Sequence, residues 1–196
     1  MTKTKVSRVL LVFVAFAMLA AACGDGDEPV DAEGFKFGMI LVGPQNDRGW
    51  SQAHWEAGKY VEEQTGAEMI VLDKVNPADL PEKTVDQVAA DMIAEGAQLV
   101  FATSDDMKDG ILVAAEQSPD VPMIWSSGDS DWEDGKSFAS LDNLGNIMGK
   151  LEFGKMIAGC AAGLTTQTGS IGYGGPLLNA ETRRLVISAY VGASVC

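Results

Sequence analysis

From Phe35 onward the chain alternates short β-rich apolar runs with helical stretches, and this alternation limits its fold more than any other feature. "FKFGMILVG", "AEMIVLDKV", "AQLVFATS" and "VPMIWSSG" are near-continuous apolar runs without period-two alternation, as strands are when both faces of a parallel sheet are buried. Between them lie segments with helical periodicity. "GWSQAHWEAGKYVEEQTG" closes on Gly66, a residue suited to a left-handed helix end, and "DDMKDGILVAAEQSP" has Ser104 or Asp105 as its cap. "NPADLPEKTVDQVAADMIAEG" places Pro81 near a first helical turn and Val85, Val88, Ala89, Met92 and Ile93 on one face. The pattern predicts an α/β fold, a parallel sheet covered by helices.

Each strand runs out into small or polar residues: "GPQND", "NPAD", "TSDD", "SSGDS", and "LDN" after a short fifth strand, "SFASLDN". Ligands of open α/β sheets bind at that carboxyl edge. Beyond Asn143 a glycine-containing helix "NIMGKLEFGKMIAGCAAGL", a strand "GSIGYGG" and a helix "NAETRRLVISAYVGA" capped by Asn179 follow. Lys150, Glu152 and Lys155 argue against a membrane span in the first of these, and its glycines suit close helix packing. Residues 35–143 read as a complete first α/β lobe and residues 144–196 as the start of a second. Three elements do not enclose a core of their own, and "VGASVC" falls mid-helix, so a fragment or a frameshifted gene is expected.

The N-terminus reads as an export signal over residues 1–22. Lys3, Lys5 and Arg8 precede the apolar "VLLVFVAFAML" and then "AAA" and Cys23. "LAAAC" resembles the lipobox of bacterial lipoproteins, which implies lipidation of Cys23 and a membrane anchor, with Ala20 where Leu is usual. Residues 23–34 are then an acidic linker. Of the other cysteines, Cys160 among alanines and glycines reads as a buried thiol, and Cys196 is the last residue. The signal holds three of the 14 Lys and Arg and none of the 28 Asp and Glu, so the remainder carries 11 against 28, a net charge of −17. Such a surface repels phosphate backbones, which argues against nucleic acid as a partner.

Polar side chains at the strand ends are the candidate site. Asn46 and Asp47 stand at the edge of the first strand's loop, where Asp47 serves as a helix cap, a ligand contact, or both. Trp50 offers a flat apolar face at a cleft mouth, while His54 and Trp55 read as packing residues. Ser104 and Asp105 again fit either a cap or a ligand contact, and Ser126 and Ser127 end the fourth strand. "DSDWEDG" lacks EF-hand spacing and reads as a solvated loop rather than a calcium site. "GSIGYGG" lacks the lysine of a phosphate-binding loop, and the chain carries no nucleophile elbow, Cys–His pairing or metal motif. No cofactor, no metal and no catalytic role are expected.

The order of these elements resembles the periplasmic-binding-protein type I fold, in which two α/β lobes close over a ligand. "GMILVGPQNDRGWSQAHWEAGKYVEE" and "GSIGYGGPLLNAETRRLVISAYVGA" are similar to the opening strand and helix of each lobe in the basic membrane protein family of bacterial lipoproteins. The resemblance implies a lipid-anchored, extracytoplasmic, monomeric solute-binding component of an ABC importer, with a membrane permease as partner. Its ligands would be purine nucleosides or a related small polar aromatic solute. The alternative is a sensor that presents its ligand to a membrane receptor. The family's first loop supplies a carboxylate and an aromatic ring, matched here by Asp47 and Trp50. Ser51 stands where nucleoside binders carry Asn, and Ser126 and Ser127, with Asp129 later, where they end strand four in Asp. The first departure loses a two-ended hydrogen-bonding group, and the second removes the carboxylate that holds ribose hydroxyls in those relatives.

Overall fold

The computed structural model describes residues 31–135, 137–175 and 178–196. The export signal, Cys23 and the linker up to residue 30 lie outside the described residues. The elements are β1 (Lys36–Ile40), α1 (Trp50–Thr65), β2 (Glu68–Leu72), α2 (Val85–Ala94), β3 (Val100–Ala102), a 3₁₀ turn (Asp105–Met107), α3 (Lys108–Gln117), β4 (Met123–Ser126), β5 (Leu144–Ile147), α4 (Leu151–Thr165) and α5 (Ala180–Val195). All five strands are parallel in the order β2-β1-β3-β4-β5. The α/β expectation holds.

Alternation along the strands divides the core into two layers. On one face Phe37, Met39 and Leu41 meet Ala67, Trp55 and Phe101, with Phe37 and Phe101 edge to face at 6.2 Å. On the other, Ile40, Val100 and Ala102 pack against Val88, Ala89 and Met92 of α2 and Ile111, Ala114 and Ala115 of α3. Runs apolar at every position are what two covered faces require.

Several expected boundaries are corrected. The fifth strand is not 137–143 but Leu144–Ile147, in register with Met123–Ser126. Asn143 is held outside it, because its side-chain amide donates to the carbonyls of Ala115, Ser118 and Val121 at 3.0 Å each. Taking 144–147 into the sheet delays the following helix, expected from Asn146, until Leu151. α2 starts at Val85 rather than near Pro81, since Asn76 accepts from the N–H groups of Ala78 and Asp79 and Thr84 N donates to Gln87 Oε1 at the true start. "GSIGYGG" forms no strand; among the described residues it pairs with no neighbour in a ladder. α1 does end at Gly66, left-handed at φ 74°, and Asn179 caps α5 by accepting from Thr182 N at 2.8 Å.

Cys160 is not a free thiol. It is joined to Cys196, with Cα atoms 5.2 Å apart, so the second half of α4 is tied to the end of α5. Glycines make this approach possible: a Cβ at Gly159 would lie 1.9 Å from Ala189 O, and one at Gly192 would lie 1.9 Å from Met156 O. No side chain fits there, so the two backbones are in direct contact.

Candidate functional site

The loop after β1 is organised by one carboxylate. Asp47 accepts from Gly49 N at 2.7 Å, Ser51 N at 3.0 Å and Gln52 N at 3.1 Å, which satisfies the open donors of the first turn of α1. The Gln52 and Ser51 bonds are the main reason its carboxyl is held below the ordinary carboxylate range. Ser51, which the sequence placed at a ligand, has no exposed surface; its hydroxyl accepts from Gly43 N at 2.9 Å and closes the loop from within. That expectation is corrected, because a side chain enclosed under its own loop has no face toward a solute.

Trp50 opens α1 and remains 42% exposed, a large apolar ring left at a surface. Its Nε1 donates to the backbone oxygen of Thr103, which locks the ring across the end of β3. His54 packs on it with ring centroids 4.7 Å apart and Nδ1 2.8 Å from Trp50 O. A second indole works in parallel: Trp125, fully buried in β4, donates from Nε1 to Ser104 O at 2.8 Å. Two tryptophans thus fix consecutive carbonyls at the β3 end. Ser104 itself caps the 3₁₀ turn by accepting from Asp106 N at 3.3 Å.

At the end of β4 the chain buckles. Ser127 adopts φ +71°, a costly conformation for a residue with a side chain, and its N–H donates to Ile147 O at 2.7 Å. Gly128 follows because a Cβ there would stand 2.3 Å from Asn146 Oδ1 and 2.4 Å from the Trp125 ring. Ser126 and Ser127 are both buried, and of the two only Ser127 lines the cleft.

These strand ends form one wall of a cavity of about 480 Å³, built from Val42, Trp50, Ser104, Asp105, Asp106 and Ser127. The opposite wall comes from α4, the 169–175 segment and the start of α5: Leu151, Lys155, Tyr173, Asn179, Glu181 and Thr182. Lys155 Nζ lies 5.9 Å from the centre of the Tyr173 ring, a cation–π contact within that wall. Of the sequence candidates, Trp50, Ser104 and Asp105 come together here. Asn46 and Asp47 stay exposed on the loop, outside the lining, and Ser51 and Ser126 lie beneath it. Tyr173, Glu181 and Thr182 were missed, since only the tertiary structure turns the α5 start toward β3. Among the described residues no group of His, Cys, Asp or Glu is arranged to hold a metal ion. No helix among them is long and apolar enough to cross a membrane.

Known proteins resemble this chain in sequence and in fold. A family model described as ABC transporter substrate-binding protein, PnrA-like, matches residues 35–192. A Haloferax volcanii protein named for glucose binding in an ABC transporter, TsgA13, is 26% identical over 170 residues, covering 86% of this chain and 40% of that protein. A purine-binding protein of Brucella abortus is 26% identical over 163 residues, covering 82% and 43%. The chain therefore spans about two fifths of the length of these relatives. Among solved structures, an ABC transporter solute-binding protein from Conexibacter woesei superposes with a TM-score of 0.51 at 23% identity, over 66% of this chain and 40% of that one. That likeness speaks to the fold.

Proposed function

The chain belongs to the family of PnrA-like ABC transporter substrate-binding proteins, and from that premise we propose that it captures a small polar solute with a flat ring and delivers it to a membrane permease. The solute class we favour is the purine nucleoside or a related aromatic solute. The observation that carries this reading is the half-exposed Trp50 ring, locked by Thr103 and lining, together with Tyr173, a cavity at the carboxyl ends of parallel strands. Trp50 supplies the stacking face, and Ser104, Asp105 and Ser127 supply hydrogen bonds to the solute's edge. Asp47 acts by shaping the loop, with its three backbone contacts. The Brucella relative's name supports the purine choice, and the Haloferax relative's name makes a sugar the competing ligand. Neither walls nor loop carry a nucleophile paired with a base, so no chemistry is assigned. The exported chain with Cys23 lipidated would sit at the outer face of the membrane, within reach of the permease.

Isothermal titration with adenosine, guanosine, adenine and D-glucose tests the proposal. Heat with the purines is expected. Silence with every purine would remove the nucleoside assignment, and heat with D-glucose alone would replace it by a sugar.

A further inference from the structure

His54 is the chain's one histidine, and the lining of the cleft does not include it. It stands one helical turn after Trp50, so α1 carries both rings on one side, while Trp55, the next residue, packs into the core layer of Phe37 and Met39. Trp50 O can only accept, so the 2.8 Å contact with His54 Nδ1 means that this nitrogen carries the proton and donates. That bond pins the imidazole to the backbone of the residue whose side chain it touches. The two ring centroids lie 4.7 Å apart with their planes at 54°.

The indole is therefore held in two places. Its Nε1–H is anchored on Thr103 O. Thr103 is itself fixed, because its N–H and Oγ1 both donate to Ile40 O, at 3.1 and 2.7 Å. One hydrogen bond at the edge of a ring leaves the ring able to swing about it, and a second ring set against the first removes that swing. An indole 42% exposed and without such support changes rotamer in picoseconds to nanoseconds. A solute that stacks on a moving ring must stop the motion, at a cost in affinity. We propose that His54 is a positioning residue of the solute site, which presupposes that the cleft is that site. It touches no solute; it holds Trp50 in the orientation that lines the cleft, so the ring is set before the solute arrives.

Indole N–H exchange in the full chain and in His54→Ala, His54→Phe and His54→Gln, read by NMR, tests the holding step without any solute, and Trp50→Phe identifies the Trp50 signal. Exchange at Trp50 Nε1–H should quicken about fivefold or more in His54→Ala and His54→Gln, while the buried Trp125 Nε1–H stays within about twofold of the parent. His54→Phe keeps a ring against the indole and should recover most of the protection. Isothermal titration with adenosine reads the consequence: affinity should fall about threefold to tenfold in His54→Ala and return most of the way in His54→Phe. Unchanged Trp50 exchange in His54→Ala would overturn the proposal. So would faster exchange with adenosine affinity still within about twofold of the parent, or a Trp125 signal that quickens alongside Trp50, since His54 would then be stabilising the lobe as a whole. If His54→Ala does not melt cooperatively, the contrast between His54→Phe and His54→Gln decides the same question. A parent that gives no heat with adenosine removes the purine reading by itself. D-glucose then takes adenosine's place with the same loss expected, and silence with both solutes would end the positioning role as well.

Discussion

Breaking the Cys160–Cys196 bond should loosen the far wall of the cleft while leaving the sheet intact. α4 and α5 bury little apolar surface between them, since the only buried residues of the pair are Gly159, Leu185 and Gly192. The cross-link joins positions 36 apart in sequence. In the chain-entropy treatment a closed loop of that length removes roughly 3.8 kcal/mol of freedom from the open state at 25 °C. Thin packing leaves few other contacts to substitute for it. At 1.4 kcal/mol per decade, the open population of α5 would rise up to roughly 500-fold on reduction or in Cys196→Ser. Hydrogen exchange resolved by peptide reads this directly: amides of 180–195 should lose protection, while those of β1 and β3 keep theirs. Reductant should add nothing to Cys196→Ser. If 180–195 exchanges within about threefold of the oxidised protein, the hairpin is held by backbone contact alone and the reasoning fails.

Four further outcomes are expected. Gly192→Ala would push a methyl into Met156 O and force the helices apart, at a cost of about 1–3 kcal/mol in thermal unfolding. Gly154→Ala meets only Leu151 Cδ1 at 3.8 Å and should stabilise by up to about 1 kcal/mol. Trp125→Phe removes the donor to the buried Ser104 carbonyl, and a urea titration should show a loss of about 1–3 kcal/mol. Asp47 has its folded pKa lowered from 3.8 by the Gln52 and Ser51 N–H groups. Its contribution is full above the unfolded value and lost as pH falls through the lower folded one. The amide shifts of Ser51 and Gln52 should therefore hold steady down to about pH 4 and move below it, and Asp47→Asn should abolish that step.

The site was partly legible in the residues because some of its chemistry is local. A carboxylate just ahead of a helix start meets that helix's open N–H groups whatever the rest of the chain does, so a capping role for Asp47 was readable. A Trp at an apolar-to-polar boundary signals a surface ring, and Trp50 is one. Ser51 misled because its position in the loop matched a ligand residue, while its burial depends on how the loop folds over Gly43. Ser127 was legible as a polar residue ending the fourth strand, but its left-handed backbone was not, since it follows from the β4–β5 register and the Ile147 contact. The fifth strand shifted for a similar reason, a long-range hold on Asn143 by the end of α3.

By itself the sequence determined the α/β class, the parallel sheet and the polar edge where a solute site belongs, because hydrophobic periodicity and turn chemistry act over a few residues. Tertiary structure alone decided which strand ends face α4 and α5, that Cys160 meets Cys196, and that Arg184 lies against Glu152 and Met148. Those pairings join residues 32 to 36 positions apart or more. Contacts of that range are set by how whole elements pack, and no local pattern records them.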